Sequence, residues 1–270
     1  MKKQFKLGLI GCGFMAQSIL KGVVLSDFLH EKKIIVSDIL EENLDKVEYL
    51  GVRTAVHNKF VAENSEYLLI AVKPQNIEDV VKSFEGVMPE KVISVMAGVK
   101  KNTIKNMLGS GTIKVARCMP NLPCSIGSGT IGIDMSDFNS NTDDTEFISN
   151  IFNCLGTVLS VDESKMDAVT GISGSGPAYV FMFIDGLIDA GVKNGLTRDE
   201  AKILAVQTLI GASEMVESVE QSVSELIKGV CSKGGTTIEA VKVLEENNFR
   251  GIISGAVDAC IKRSKELSMK

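Results

Sequence analysis

Phe5-Lys6-Leu7-Gly8-Leu9-Ile10-Gly11-Cys12-Gly13-Phe14-Met15-Ala16 reads as a short apolar strand that breaks at Gly11 and turns straight into a helix. Gly11, Gly13 and Ala16 occupy the three small positions of a dinucleotide-binding turn, in which alanine is an accepted third residue. The first permits a tight turn, the second lets backbone approach a pyrophosphate, and the third lets helix and strand pack closely. The helix start then aims unpaired N–H groups and a positive dipole end at whatever lies above it, and an anion suits that place. A second strand, Ile34-Ile35-Val36-Ser37, follows and ends at Asp38, somewhat beyond the usual spacing for the acid that holds a ribose 2′-hydroxyl. A glycine triplet alone also serves an ordinary turn, and a lone acid there also serves as a solvated residue. Strand, turn, helix, strand and acid in succession favour a bound dinucleotide.

At 270 residues the chain is long enough for two domains, and a net charge of −5 gives no electrostatic case for binding nucleic acid or an anionic membrane. The six cysteines (Cys12, Cys118, Cys124, Cys154, Cys231 and Cys260) are scattered without a C-x-x-C pair. Most stand in apolar runs, so buried free thiols in a reducing compartment are expected. The first residues enter a strand at once without a long apolar signal core, and no stretch reaches the roughly 20 apolar residues of a membrane helix. These features place the protein in the cytoplasm. His30 and His57 are the only histidines and tryptophan is absent. A histidine-cluster metal site is therefore ruled out, and a mechanism must work with backbone, hydroxyl and carboxylate groups.

The alternation of strand and helix continues through the N-terminal half. Glu41 to Leu50 reads as helix, Arg53-Thr54-Ala55 as a short strand, and Tyr67 to Val72 as a buried strand, apolar throughout and stopped at Lys73-Pro74. Helix Ile77 to Phe84, strand Val92 to Val95, helix Asn102 to Leu108 and strand Thr112 to Ala116 follow. Then come strand Gly127 to Ile133, helix Thr142 to Phe152 and a last strand, Gly156 to Val161. The pattern predicts a Rossmann-type, doubly wound parallel sheet over residues 1–161. In such sheets ligands lie at the carboxyl ends of the strands. That edge carries Gly11 to Met15, Asp38, Asn58, Ala71 to Pro74, Met96-Ala97-Gly98 and Met119-Pro120-Asn121. Lys73 either flanks a turn or approaches cofactor phosphates.

From Asp162 to residue 270 no strand is evident, and an all-helical domain is expected. Pro177 to Ile184 is uncharged and apolar on every side, so its helix should be buried all round, which a small domain achieves most readily with a partner subunit. The helical half is thus expected to be a dimer interface with interlocked helices. Thr197-Arg198-Asp199-Glu200, Ser222-Val223-Ser224-Glu225 and Thr236-Thr237-Ile238-Glu239 each read as a capping box. The last follows Ser232-Lys233-Gly234-Gly235. Ser232 to Thr237 is either a well-capped helix start or a second nest of N–H donors, suited to a small carboxylate.

Taken together, these residues resemble the Δ1-pyrroline-5-carboxylate reductase family over nearly the whole chain. The resemblance is carried by Gly8 to Ala16, His57-Asn58, Ala71-Val72-Lys73-Pro74, Ala97-Gly98-Val99 and Arg117-Cys118-Met119-Pro120-Asn121. In the second half it is carried by Asp167 to Gly171, Gly174-Ser175-Gly176-Pro177-Ala178-Tyr179 and Ser232-Lys233-Gly234-Gly235-Thr236-Thr237. The resemblance implies NADH or NADPH held by Gly11, Cys12, Gly13, Phe14, Met15, Asp38, Asn58, Ala71, Val72, Lys73, Pro74, Met96 and Ala97. It implies that the substrate carboxylate is bound by Ser232, Gly234, Gly235, Thr236 and Thr237 across a dimer interface, with Ala97 closing the nicotinamide pocket. Thr237 would approach the ring nitrogen, and Glu220 falls where some members place an acid near the substrate. The fold implied is a Rossmann domain followed by an all-helical dimerisation domain, often assembled into decamers. One departure stands out. Most members have proline where this chain has Lys233, which implies a looser nest partly offset by a cation near the carboxylate.

The implied reaction, reduction of a cyclic imine to proline in the last step of proline synthesis, suits a site without histidine. Such an imine is basic enough to arrive protonated and then accepts hydride readily, so orientation and carboxylate binding are the enzyme's main tasks. Asp38 would repel a 2′-phosphate and favours NADH, while Ser37 leaves room for dual use. A β-hydroxyacid dehydrogenase would need a catalytic lysine in the helical half, and neither Lys193 nor Lys233 stands in that family's surrounding pattern. A non-catalytic nucleotide-sensing module would not need the Ser232 to Thr237 segment.

Overall fold

The structure, a computed structural model, describes residues 3–267. Its elements are β1 (Phe5–Ile10), α1 (Phe14–Leu25), β2 (Ile34–Ser37), α2 (Glu41–Asp45), β3 (Arg53–Ala55), α3 (Asn58–Asn64) and β4 (Ser65–Ile70). Next are α4 (Ile77–Lys82), β5 (Lys91–Ser94), α5 (Lys101–Met107), β6 (Lys114–Met119), β7 (Gly129–Asp134), α6 (Thr142–Asn153) and β8 (Gly156–Ser160). The helices α7 (Met166–Val169), α8 (Gly176–Lys193), α9 (Arg198–Ser218), α10 (Val223–Val230), α11 (Thr236–Glu246) and α12 (Phe249–Leu267) complete the described chain.

The strands form one sheet in the order β3-β2-β1-β4-β5-β6-β7-β8. Period-two alternation sorts their side chains onto two buried faces. Leu7, Leu9, Val36, Leu69 and Ile93 pack with Ile19 and Leu20 of α1 and Ile148, Ile151 and Phe152 of α6. Ile10, Ile35, Leu68, Ile70 and Val92 pack with Val61 of α3, Ile77 of α4 and Ile104 of α5. A sheet covered on both faces is what continuous apolar strands require.

The sheet departs from the all-parallel expectation at β7, which runs antiparallel to β6; β8 is again parallel to β7. The β6–β7 link, residues 120–128, holds only the short turn Leu122–Ile126 and is too brief for a crossover. Pairing with β7 also extends β6 past the expected Ala116, because Arg117, Cys118 and Met119 find partners in Asp134, Ile133 and Gly132. Glu41 to Leu50 is not one helix: α2 stops at Asp45, and a separate turn, Glu48–Leu50, is closed by left-handed Gly51. All six cysteines are free. Among the described residues no helix is long and apolar enough to cross a membrane.

The described residues divide into two compact units, one of residues 3–175 with 260–267, the other of residues 176–259. No strand follows Ser160 among the described residues. In the second unit α9 covers one stripe of α8, where Ile184 and Ile188 meet Ala201 and Ala205. The rest of α8 contradicts burial all round within the single chain: Phe181 is 51% and Met182 76% exposed, and Val180 and Phe183 are also open. One neighbouring helix can cover only one side of an all-apolar cylinder. Burying each such side chain would contribute about 1.5–3 kcal/mol, so the uncovered faces leave a large driving force unused.

Candidate active site

The glycine turn is built as its residue types demand. Gly11 has φ +92°, and its N–H donates to the Ser37 carbonyl at 2.8 Å, tying the end of β1 to the end of β2. A Cβ at Gly11 would stand 2.6 Å from the Ala71 carbonyl oxygen, so only glycine lets the turn lie against the end of β4. Gly13 is the N-cap of α1 and no side chain caps that helix. The first helical bond there runs from the Gln17 N–H to the Gly13 carbonyl, leaving the N–H groups of Phe14, Met15 and Ala16 ahead of it. A Cβ at Gly13 would meet nothing within 4 Å. An uncapped helix start facing open space fits a pyrophosphate.

Asp38 does more than close β2. One carboxylate oxygen accepts the Cys12 N–H at 2.5 Å, and the other accepts the Leu40 N–H at 2.8 Å and the Asn43 amide at 3.3 Å. Beside it Ser37 donates to Asn58 Oδ1 at 2.7 Å, and Asn58 donates in turn to Ser83 Oγ at 2.8 Å. The Cys12 side chain is fully buried beneath the turn, and its thiol donates to the Asn43 carbonyl at 3.3 Å. Burial, reinforced by the Asp38 charge, pushes that thiol's pKa up to about 12.

These groups open on a cavity of about 680 Å³ at the carboxyl edge of the sheet, a size that admits a dinucleotide. Of the residues expected from sequence, Gly11, Gly13, Asp38, Asn58, Ala71, Val72 and Lys73 line it. Phe14, Met15, Pro74, Met96 and Ala97 do not. Phe14 is exposed on the first turn of α1, and Met15 packs partly on the core. Pro74 opens the turn before α4. Met96 is buried among the side chains on the α4–α5 face, so only its backbone is placed to meet a ligand. Ala97 is half-buried in the turn after β5. Asn43, Asn76, Asp79, Val80 and Ser83 also line the cavity and carry no motif; isolated residues in or beside helices give no signal until the helices are docked.

The second unit holds the other predicted cluster. The Gly235 N–H donates to the Ser232 carbonyl at 3.0 Å and Gly234 has φ +74°, so Ser232-Lys233-Gly234-Gly235 is a tight turn with its obligate glycine third. Gly235, not Thr236, is the N-cap of α11, and no side chain caps it. The expected third capping box is therefore absent, because α11 begins one residue too early for Thr236 to be its cap. The boxes at Thr197–Glu200 and Ser222–Glu225 both form. The missing cap leaves the first N–H groups of α11 uncommitted to a side chain, as a carboxylate nest requires. Thr237 is half-buried on the first turn of α11, and Glu220 stands exposed in the bend between α9 and α10.

A buried ionic cluster braces the sheet below the turn after β5. Lys101 is held by Asp134 at 2.5 Å and Asp137 at 3.2 Å, and the Glu163 N–H donates to Asp134 at 2.7 Å. Burial opposes the charge on Lys101, but its hydrogen bonds to Asp134 and Asp137 prevail and raise its pKa. Burial likewise opposes the charge on both aspartates, but bonds from Lys101 and Ser136 hold the Asp134 carboxyl below the usual range, and bonds from Lys105, the Val115 N–H and Lys101 do the same for Asp137.

Comparison with known proteins agrees with this architecture. Residues 163–267 match the family model for pyrroline-5-carboxylate reductase dimerisation, and residues 6–98 match that for NADP oxidoreductase, coenzyme F420-dependent. The chain is 37% identical over 271 residues to pyrroline-5-carboxylate reductase of Arabidopsis thaliana, covering 98% of this chain and 96% of that one. It is 39% identical over 267 residues to the Synechocystis enzyme of the same name, covering 98% and 99%. The solved structure of Plasmodium falciparum pyrroline carboxylate reductase with NADP bound superposes with a TM-score of 0.89 at 31% identity, over 99% of this chain and 100% of that one. A glycine turn suited to a dinucleotide, a helical half matched by a dimerisation model and full-length similarity converge: the chain belongs to the pyrroline-5-carboxylate reductase family.

Proposed function

We propose that the protein reduces 1-pyrroline-5-carboxylate to proline with a nicotinamide dinucleotide, as the final step of proline biosynthesis in the cytoplasm. The observation that carries this reading is the pair of uncapped helix starts, one at Gly13 and one at Gly235, each preceded by a glycine of positive φ. They suit a pyrophosphate and a carboxylate. In this reading the glycine turn, Asp38, Asn58 and the Ala71–Pro74 segment hold the cofactor, and Met96 and Ala97 approach its nicotinamide. When bound, the reduced nicotinamide supplies the hydride.

The chain's own residues supply the rest. Ser232, Gly234, Gly235 and Thr236 surround the substrate carboxylate, which takes its hydrogen bonds from the backbone N–H groups that the turn leaves unused, and the Thr237 hydroxyl hydrogen-bonds the ring nitrogen as it becomes an amine. Glu220 favours the protonated imine by its charge. Orientation of this kind accounts for much of the rate when the acceptor is already activated. Asp38 disfavours a 2′-phosphate, and the cofactor is NADH in preference to NADPH. The uncovered faces of α8 are buried in a homodimer, which is the unit of any larger ring such as a decamer.

Imine-dependent oxidation of NADH and of NADPH, measured side by side, tests the reading. Turnover with both and a higher kcat/KM for NADH is expected. No turnover with either overturns the activity, and a strong preference for NADPH overturns the role given to Asp38.

A further inference from the structure

The turn after β5 carries Ala97, and little within the strand holds it. The Val95 N–H reaches the Ile70 carbonyl at 3.3 Å and the Met96 N–H reaches Ser94 Oγ at 3.3 Å, both long. The turn is fixed from outside. Gly98 has φ +76°, and a Cβ placed on it would lie 3.0 Å from Leu267 Cβ and 3.3 Å from the Ser264 carbonyl oxygen, so the last turns of α12 press directly on its backbone. Ser264 is 3% exposed, and its hydroxyl donates to Asp167 Oδ1 at 2.6 Å, fastening α12 to α7. One turn earlier, Cys260 Sγ lies 3.0 Å from Ser175 Oγ. Just past the turn, the Lys101 N–H donates to Glu163 Oε1 at 2.7 Å. Residues 260–267 belong to the compact unit of the sheet, while the start of α12 belongs to the other.

We infer that Cys260–Leu267 is a wall of the reductase site that sets the position of the Met96–Val99 turn, and that Ser264 is a positioning residue holding this wall against Gly98 through Asp167. The inference rests on the reading that Ala97 approaches the nicotinamide. A left-handed glycine is the most pliable link in a turn, and a helix end fastened at the buried Ser264 restrains it. The pyrophosphate turn is fastened separately, through Gly11 to Ser37 and Cys12 to Asp38. Loosening the wall therefore changes how the nicotinamide is presented without changing how the dinucleotide is gripped. Displacements of an ångström at a reacting centre are enough to slow a reaction strongly.

The test combines hydrogen exchange with kinetics on the full chain. In Ser264→Ala the amides of Ala97 to Val99 should exchange about fivefold faster or more, with those of Gly11 to Ala16 and of β1 and β4 unchanged, consistent with the loss of one buried hydrogen bond. Its kcat should fall about three- to tenfold, while the Kd for NADH, read from the cofactor's own fluorescence, stays within about twofold. Ser264→Thr should restore kcat, and Ser264→Ala combined with Asp167→Ala should be no slower than the worse single variant. Leu267→Gly removes the Cβ that faces Gly98 while keeping the Ser264–Asp167 bond, and should speed the same amides even if Ser264→Ala fails to fold. Unchanged exchange at Ala97 to Val99 in Leu267→Gly overturns the inference, as does a parallel change of kcat and Kd in Ser264→Ala. The exchange arm needs no turnover, so a wild-type protein that does not reduce the imine sinks the proposed activity and still leaves the wall to be decided by exchange.

Discussion

The Asp38 carboxylate accepts the backbone N–H of Cys12 at 2.5 Å, so the acid that ends β2 also pegs the turn that ends β1. Removing it has two separable effects. Asp38→Ala should raise the KM for NADH about tenfold or more, since a hydrogen bond to a charged group is worth about 1.5–3 kcal/mol. The KM for NADPH should rise less, because a repelled phosphate is relieved at the same time. A ratio of the two kcat/KM values that stays at its wild-type level would deny Asp38 any part in cofactor choice.

Thr237 sits on the first turn of α11 without serving as a cap. Its hydroxyl is thereby left for a ligand. Thr237→Ala should lower kcat/KM about 10- to 100-fold, the 1–3 kcal/mol of a hydrogen bond lost at a reacting centre, with little change in thermal stability. An undiminished kcat/KM removes Thr237 from the mechanism.

Lys233 occupies the second position of the Ser232–Gly235 turn, where proline is favoured because its ring fixes φ near the required value. Lys233→Pro should stabilise the protein by about 0.5 kcal/mol in urea unfolding and lower the KM for the imine by preorganising the nest. A raised KM would show that the lysine's charge matters more than the turn's stiffness.

Asp144 is buried where Tyr67 and Lys91 converge, with Lys91 Nζ at 2.6 Å and Tyr67 donating its phenolic proton. Its second oxygen has no hydrogen-bond partner among the described residues. Burial resists the Asp144 charge, but the bonds from Lys91 and Tyr67 hold its pKa below the usual carboxylate value. Burial also resists the charge on Lys91, and Asp144 and Glu66 overcome it, leaving the lysine raised. A lowered carboxylate stabilises the fold above its ordinary pKa, near 3.9, and that contribution fades as pH falls through the folded-state value. A raised lysine stabilises the fold below its ordinary pKa, near 10.4, and that contribution fades as pH rises past it. Asp144→Ala should cost about 2 kcal/mol near neutral pH, because it leaves the buried Tyr67 hydroxyl without its acceptor and Lys91 with Glu66 alone as its carboxylate partner, and the deficit should shrink below about pH 4. Urea melts at pH 7 and pH 3.5 measure both, and equal deficits at the two values would refute the assignment.

Phe181 is half exposed on α8 although its neighbours Val180, Met182 and Phe183 are apolar as well. Phe181→Asp should shift the protein to smaller species in sedimentation velocity at micromolar concentration and lower its melting temperature in a concentration-dependent way. Unaltered sedimentation would place the subunit contact elsewhere.

Much of this was legible in the residues themselves. The glycine turn declares itself because Gly11 must take a positive φ against the end of β4 and Ala16 must fit a closed core position, and Arg53-Thr54-Ala55 matches β3 although it is three residues long. The antiparallel β7 was hidden because direction depends on the length of the preceding link, not on the composition of the strand. The non-capping role of Thr236 was hidden because a threonine followed three positions on by glutamate scores as a cap wherever the helix happens to begin. Asn43, Val80 and Ser83 reach the cavity only once α2 and α4 are docked. The grip of α12 on Gly98 joins residues too far apart in the chain for any local pattern to reveal.

Cys12 stands in the middle of the glycine turn, where a reactive sulfur would make the enzyme answerable to oxidants. With no exposed surface and a proton held up to about pH 12, it has almost no thiolate to offer. Peroxide or an alkylating reagent therefore reaches this sulfur only in molecules whose turn has already come apart, and redox chemistry at the heart of the fingerprint is silenced by packing, with the Asp38 charge in support.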